Sequence, residues 1–163
     1  MLKRKIKYVD FNDENQEDIY YFNLTTSELL ELEAGEDGVS FSARMNRIVE
    51  SKDSAVIIDE IKKLVLLAYG EKSLDGKNFI KSDESRHLFS QSAAFDSLFM
   101  ELAQDANAAL AFLKGVLPKD LAKGFDEAVA SGKIDDLVGE GRTPGLPTKE
   151  EFDRAQEERG GNE

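Results

Sequence analysis

The chain has 163 residues, enough for one domain with a sizeable core, and 33 acidic against 21 basic residues give it a formal net charge of −12. Negative charge of this size repels phosphate backbones, so the composition disfavours nucleic-acid binding. The absence of cysteine excludes disulfides and thiolate metal sites, and the first eleven residues alternate instead of forming an apolar run, so no secretory leader is expected.

The charge is unevenly distributed near the N-terminus. Lys3, Arg4, Lys5 and Lys7 form a basic start, whereas residues 10–43 contain ten acidic residues and no Lys or Arg. Two interpretations are open for this acidic block. It is either a solvated face that maintains solubility, or a docking surface for a basic partner or for the basic start of a second copy.

The N-terminal segment has the pattern of a β-hairpin. Residues 2–9 alternate between apolar and basic side chains, residues 17–24 are rich in aromatics, and the polar run NDENQ between them predicts a turn. Tyr20, Tyr21 and Phe22 are interpreted as hairpin core, because a base-stacking platform would need a nearby basic groove. A lone hairpin is marginal in water, so it must pack on helices or pair with another strand, and its free edge could pair with a partner or a second copy.

Two helices are predicted to follow the hairpin. Thr25 and Glu28 have the spacing of a capping box, and Leu24 and Leu29 have that of a hydrophobic staple. The first helix is expected to end at Gly35. The second carries an apolar face made of Phe41, Met45, Ile48 and Val49.

The longest apolar helical pattern spans residues 51–70. Asp53 or Ser51 can cap the start of this helix, and Gly70 can end it. The segment is too short and too charged to cross a membrane. The stripe that we expect to be buried comprises Ile57, Ile61, Leu64, Val65 and Ala68, and the polar arc comprises Asp59, Glu60, Lys62 and Lys63.

Asp75–Gly76 is the strongest tight-turn dipeptide in the chain and predicts a small hairpin or an extended loop. The segment lacks the acidic spacing and the closing glutamate of a calcium loop. Phe79 and Ile80, which follow the turn, are two candidate partner-binding residues.

Three capping positions predict three helices in the next part of the chain. Ser82 or Asp83 starts the first, Ser92 starts the second after the polar SQS, and Asp105 starts the third. The third helix is expected to bury Leu110, Leu113 and Val116 and to end at Gly115 and Pro118. A last amphipathic helix carries Leu121, Phe125 and Val129 as far as Gly132, and Ile134, Leu137 and Val138 are expected to dock back.

Residues 139–163 are polar and rich in glycine, which predicts a largely disordered tail. Thr148 and Glu151 form another capping box, which predicts a transient helix over residues 149–158. Phe152 on that helix is the third candidate partner-binding residue. The tail is either a plain terminus or a docking peptide.

The pattern as a whole predicts an α+β fold that is mainly α. An N-terminal β-hairpin would pack on a bundle of about five to six helices, all in one domain over residues 1–138.

No motif in the sequence points to catalysis or to a cofactor. His87 is the only histidine and has no nucleophile motif to serve, and no phosphate loop, nucleophile elbow or zinc motif is present. Acidic pairs carry no information in a chain this rich in acids. We therefore predict no catalytic, metal-binding or cofactor-binding residue and no enzymatic activity, which leaves a small acidic interaction protein.

A series of segments carries a resemblance to a known family through its order and spacing. The segments are VDF at 9–11, FNLTTSELLELE at 22–33, RIVESKD at 47–53, AYGEKSLDGKNFIKS at 68–82, FSQSAAFDSLFMELA at 89–103 and AFLKGVLPKDL at 111–121. Over about residues 1–120 the chain resembles the phage tail assembly chaperones encoded between the tail tube and tape measure genes of long non-contractile-tailed phages and prophages.

The resemblance implies a function in the bacterial host cytoplasm during tail assembly. Such chaperones are not enzymes: they bind the tape measure protein, keep it soluble, help recruit tail tube subunits and are absent from the finished virion. Many are also made in a longer form by ribosomal frameshifting. The expected partners are therefore the tape measure and tail tube proteins, with possible self-association and with neither nucleic acid nor membrane.

The acidic block supports an alternative function of another class. The chain could be a regulatory module that mimics nucleic acid and sequesters a basic protein. A third hypothesis is a structural subunit of the virion, which would have to persist in purified particles.

Overall fold

The structure, a computed structural model, describes residues 1–34 and 40–131. The strands in these residues are β1 (Leu2–Val9), β2 (Asn15–Phe22), β3 (Tyr69–Lys72) and β4 (Phe79–Ile80). The helices are α1 (Thr26–Ala34), α2 (Phe41–Glu50), α3 (Ser54–Ala68), α4 (Asp83–Ser90), α5 (Ala93–Gln104), α6 (Ala106–Val116) and α7 (Lys119–Ser131). The predicted class, α+β and mainly α, is confirmed, with seven helices in the described residues where about five to six were expected.

Several predictions fall outside the described residues. These are the helix ends at Gly35 and Gly132, the docking of residues 134–138, the polar tail at 139–163 and its transient helix with Phe152.

The N-terminal hairpin is present, but its turn is shorter than predicted. β1 and β2 pair antiparallel from Leu2 with Phe22 to Val9 with Asn15. The Asp10 carboxylate closes the turn, since it accepts hydrogen bonds from the amides of Asn12 and Glu14 at 2.8 and 3.0 Å and from the Gln16 side chain at 2.8 Å. The second strand therefore begins at Asn15, two residues before the predicted start.

The hairpin is stabilised by a further strand, one of the two solutions that the sequence allowed. β3 pairs antiparallel with β2, and the sheet order is β1-β2-β3-β4. α3 ends at Ala68 and not at Gly70 as predicted, because Tyr69 and Gly70 are extended and pair with Phe22 and Tyr21. The predicted hairpin at Asp75–Gly76 is confirmed, and Gly76 adopts a φ of 70° there, which glycine tolerates best.

Local capping signals predicted most helix starts. The Thr25 amide donates to Glu28 Oε2 at 2.7 Å, and the Glu28 amide donates to Thr25 Oγ1 at 3.2 Å, which completes the capping box. Asp53, Ser92 and Asp105 accept hydrogen bonds from amides in the first turns of α3, α5 and α6. Ser82 caps α4, in a box that is completed by Ser85.

The helix with the longest apolar pattern, α3, is buried along its C-terminal part. Ile61, Leu64, Val65 and Ala68 are buried as expected, whereas Ile57 is only half-buried. Glu60 contradicts the sequence prediction, since it was assigned to the polar arc and is in fact buried. Arginine side chains from α2 contact its carboxylate, which explains how a charge can be accommodated there.

The C-terminal helices complete the same core. Gly115 lies inside α6 and does not end it, and the Leu2 side chain lies where a Cβ on this residue would need space. Leu110 is only half-buried, and Phe112 takes the inward position instead. α7 joins the core through Leu121, Phe125 and Ala128, whereas Val129, expected on its apolar face, is half-buried.

Aromatic rings connect the sheet to the helices. Phe22 is fully buried, and its ring centroid lies 5.1 Å from that of Phe112 and 5.8 Å from that of Phe89. Tyr69 stacks on Phe89 with centroids 4.1 Å apart. One face of the sheet is therefore anchored in the core, and the opposite face is free of it.

Candidate partner-binding surface

The strand registers divide the sheet into two faces, because directly paired residues point to the same side. Leu2, Ile6 and Phe22 belong to the inner face, which packs on the helices. Arg4, also on the inner face, donates to both carboxylate oxygens of Glu101 on α5, at 2.6 and 2.7 Å.

The opposite side, called here the outer face, combines lysines with apolar and aromatic side chains. It comprises Lys3, Lys5, Lys7 and Val9 of β1, Asn15, Glu17, Ile19 and Tyr21 of β2, Gly70 and Lys72 of β3, and Phe79 of β4. Val9 and Ile19 are exposed, Ile19 to 45 %. Four lysines thus stand against one glutamate on this face, although the whole chain carries a charge of −12.

Glu17 lies between two of these lysines. Lys5 Nζ forms an ion pair with one oxygen of the Glu17 carboxylate, and Lys7 Nζ lies 3.4 Å from the other. The hydrogen bond from Lys5 holds the pKa of the Glu17 carboxyl below its ordinary value of 4.5. Glu17 therefore stays ionised near neutral pH and pairs with two of the four lysines.

Tyr21 lies at the centre of the basic and aromatic part of this face. Lys72 Nζ is 4.6 Å from the centroid of the Tyr21 ring, in a cation–π contact, and Lys3 is the direct cross-strand neighbour of Tyr21. The interpretation of Tyr21 as hairpin core is therefore wrong, whereas Tyr20 and Phe22 do face inward. Basic side chains also surround Tyr21, contrary to the expectation from the sequence.

An open groove of about 510 Å³ runs along β2 and β3 beside Tyr21. Ile19, Gly70 and Leu74 contribute to its walls, and Leu74 is fully exposed in the β3–β4 turn. Tyr69 lines the groove too, and burial together with the nearby Glu71 carboxylate raises its pKa to about 12. The Tyr69 hydroxyl therefore remains a hydrogen-bond donor, and it points to Glu71 at 3.3 Å.

The two predicted partner-binding residues that the structure describes, Phe79 and Ile80, lie on opposite faces of the sheet. Phe79 lies on the outer face, half-buried, with its ring packed against Gly70. Ile80 pairs with Glu71 and so has the opposite orientation, with 51 % of it exposed. Phe152 lies outside the described residues.

Sequence reasoning missed the exposed residues of the hairpin. Phe11 is 85 % exposed in the turn that Asp10 closes, and Ile19 is exposed on β2. The alternation along β2 could have revealed Ile19, because the residues two positions apart, Tyr21 and Glu17, share its face.

Much of the acidic block makes contacts within the chain. Asp18 accepts a hydrogen bond from the Tyr8 hydroxyl at 2.6 Å, and Glu33 accepts one from the Ser42 hydroxyl at 2.6 Å. Glu28 forms an ion pair with Lys81 at 2.6 Å, while Asp10 and Glu17 are engaged as described above. These five carboxylates do not form one free acidic face.

His87 lies on the exposed side of α4, and its backbone carbonyl accepts a hydrogen bond from the Ser90 hydroxyl at 2.7 Å. In residues 1–34 and 40–131, no cluster of three or more His, Cys, Asp or Glu side chains has the arrangement of a metal site. Over the same residues, none of the helices combines the length and the apolarity that crossing a membrane requires.

Comparison with known proteins places the chain in a family. No curated protein and no solved structure matches it. A family sequence model described as phage tail assembly chaperone matches residues 1–161. The match therefore extends beyond the resemblance seen in the sequence, which covers about residues 1–120. The chain belongs to the phage tail assembly chaperone family.

Proposed function

We propose that the protein binds the tape measure protein, keeps it soluble and helps to recruit tail tube subunits in the host cytoplasm. In this proposal it is not an enzyme, and it leaves before the virion is complete. Family membership supports a function in tail assembly. The observation that carries the binding step is the outer face, where Val9 and Ile19 are exposed beside half-buried aromatic rings on a sheet anchored in the core.

A protein that keeps a tape measure protein soluble has to cover its exposed apolar surface. Long amphipathic helices expose apolar stripes that aggregate unless another surface covers them. Many copies of a small chain can cover such a helix through weak individual contacts, because several weak contacts together give a high overall affinity without any single strong site. A charge of −12 on each copy would keep the resulting complex soluble and its coat reversible.

We also propose that residues 1–138 act as one folded unit and that residues 139–163 act as a tether to a partner. A single core that includes residues from Ile6 to Ala128 supports the first part of this proposal. The polar composition of the segment supports the second.

Co-expression tests the proposed function. The chain should keep the tape measure protein encoded beside it in the soluble fraction and should co-purify with it, and mass spectrometry of finished particles should not detect the chain. A tape measure protein that stays insoluble and is not retained would contradict the proposal. A chain that persists in particles would favour the virion-subunit hypothesis instead.

The nucleic-acid mimic remains the alternative, but the geometry favours it less. A mimic presents its carboxylates to a basic protein, whereas Asp18, Glu28 and Glu33 already contact groups of their own chain. Size-exclusion chromatography with light scattering separates the two functions. A mimic should bind basic proteins in a strongly salt-sensitive way and should not bind apolar helices.

A further inference from the structure

The alternation of β1 separates its basic residues between the two faces of the sheet. Lys3, Lys5 and Lys7 all lie on the outer face, whereas Arg4 lies on the inner face and pairs with Glu101. Lys72 of β3 adds a fourth lysine to the outer face. Basic residues from distant parts of the chain thus meet on one surface of an acidic protein.

The lysines on this face differ in their contacts. Lys5 and Lys7 share Glu17, so part of their charge is already compensated. Lys3 and Lys72 form no ion pair with a carboxylate in the described part of the chain, and they flank Tyr21. Two cations are therefore available to an incoming partner, beside a groove that is lined by Ile19, Tyr21 and Leu74 and also by Glu71.

The apolar component of the face has the form of a shallow platform. Ile19 and Tyr21 of β2 and Phe79 of β4 lie on one side of the sheet, and Leu74 extends from the β3–β4 turn. A helix with one apolar stripe could lie on this platform, with the side chains that flank the stripe placed near the lysines.

Charge complementarity then identifies the occupant. We propose that the outer face binds an amphipathic segment of the tape measure protein that carries Asp or Glu beside its apolar stripe. This inference rests on the proposed function and adds to it the binding surface and the chemistry of the bound segment. Acidic flanks would pair with Lys3 and Lys72, which favours this segment over a basic one.

Nucleic acid is the other polyanion that a basic and aromatic face can attract. The outer face differs from a nucleic-acid groove because only four lysines occur on it and one glutamate lies among them. The overall charge of −12 also repels a long phosphate backbone. A protein segment with a few carboxylates and an apolar stripe fits both observations better.

The test compares two double variants of the full chain that change the net charge equally. Lys3→Glu with Lys72→Glu alters the outer face, and Lys52→Glu with Lys62→Glu alters exposed lysines elsewhere. The probe is a labelled fragment of the tape measure protein that co-purifies with the wild-type chain, and fluorescence anisotropy gives its Kd. We expect the outer-face variant to weaken binding about tenfold and the control variant to weaken it less than about threefold.

A third variant keeps the test valid if the charge reversals disturb folding. Ile19→Ser removes apolar contact area without changing the charge and should also weaken binding, while thermal unfolding monitors the fold of each variant. Added salt should weaken wild-type binding more than that of the outer-face variant.

Three results would overturn the inference. Equal affinities of the two double variants would show that the outer face is not the binding surface. The proposed function would still stand in that case, provided that the wild-type chain binds the fragment. Binding of a single-stranded DNA oligonucleotide that requires Lys3 and Lys72 would assign the face to nucleic acid. A wild-type chain that retains no tape measure fragment would overturn both proposals.

Discussion

Arg44 of α2 and Glu60 of α3 form an ion pair inside the protein, with 3.1 Å between Nη1 and Oε2 and only 2 % of each side chain exposed. Arg47 Nη1 lies 2.8 Å from the other carboxylate oxygen of Glu60, so both oxygens are engaged. Such a pair stabilises little relative to apolar packing, but the removal of one partner is costly. Glu60 thus fixes how α2 and α3 fit together.

We predict that Glu60→Ala destabilises the protein by about 3–5 kcal/mol, because it removes a buried carboxylate that both Arg44 and Arg47 contact. Urea unfolding followed by circular dichroism measures the change. Asp59→Ala is the matched control, since Asp59 is exposed and, in the described residues, its ion pair is with Lys63 on its own helix. The control should cost less than about 1 kcal/mol, and similar losses in both variants would contradict the prediction.

The case of Glu60 shows which features a sequence can and cannot determine. Capping at Thr25 and the turn at Asp75–Gly76 depend on residues a few positions apart, so their patterns were sufficient. Glu60 borders the apolar stripe on a helical projection, and its burial depends on Arg44 and Arg47, which lie sixteen and thirteen residues earlier in the chain.

Long-range strand pairing explains the other wrong predictions, which concern the end of α3 and the orientation of Tyr21. Tyr69 and Gly70 continue a helical pattern, yet they form a strand because β2 offers hydrogen-bonding partners to their backbone. The same pairing places Tyr21 on the outer face beside Lys72. The candidate surface is built from β1, β2, β3 and β4, so no single segment of the sequence contains its pattern.

A second prediction concerns Lys81, which connects the start of α1 to the segment before α4. Its Nζ donates to the Asn23 carbonyl and to Glu28 Oε1, both at 2.6 Å. Burial alone would raise the pKa of Glu28, but the hydrogen bonds from Lys81 and from the Thr25 amide lower it below the ordinary value of 4.5. Because the folded state holds the lower pKa, this stabilisation is present above that value and is lost as the pH falls through the folded pKa.

We therefore expect Glu28→Gln to destabilise the protein at neutral pH and to differ less and less from the wild type as the pH falls below 4.5. Urea unfolding of both proteins across this pH range gives the difference in free energy directly. Other carboxylates titrate in both proteins alike, so their effects cancel. A difference that stays constant from neutral to acid pH would show that the Glu28 carboxylate has no such linkage.

A third prediction concerns Gly70, where β4 approaches β3 closely. A methyl group on Gly70 would lie 2.6 Å from Phe79 Cε1 and 2.9 Å from the Ile80 carbonyl oxygen. We expect Gly70→Ala to cost about 1–3 kcal/mol and to speed amide hydrogen exchange in β4, because the strand must move away.

Gly76→Ala is the comparison for Gly70, since nothing lies within 4 Å of the position that its methyl group would take. Its cost should come only from the φ of 70°, about 1–2 kcal/mol, and the pairing of β3 with β4 should remain. If the two variants gave the same exchange rates in β4, the close packing of Phe79 on Gly70 would not control that strand.

The last prediction tests the asymmetry of α3. Leu64 is 1 % exposed in the core, whereas Ile58, on the same helix and also aliphatic, is 40 % exposed. Leu64→Ala should cost about 2–5 kcal/mol because it removes buried methyl groups and leaves a cavity. Ile58→Ala should cost less than about 1 kcal/mol, as substitutions at exposed sites usually do. Denaturant unfolding measures both values, and a loss at Ile58 as large as that at Leu64 would mean that another surface covers the N-terminal half of α3.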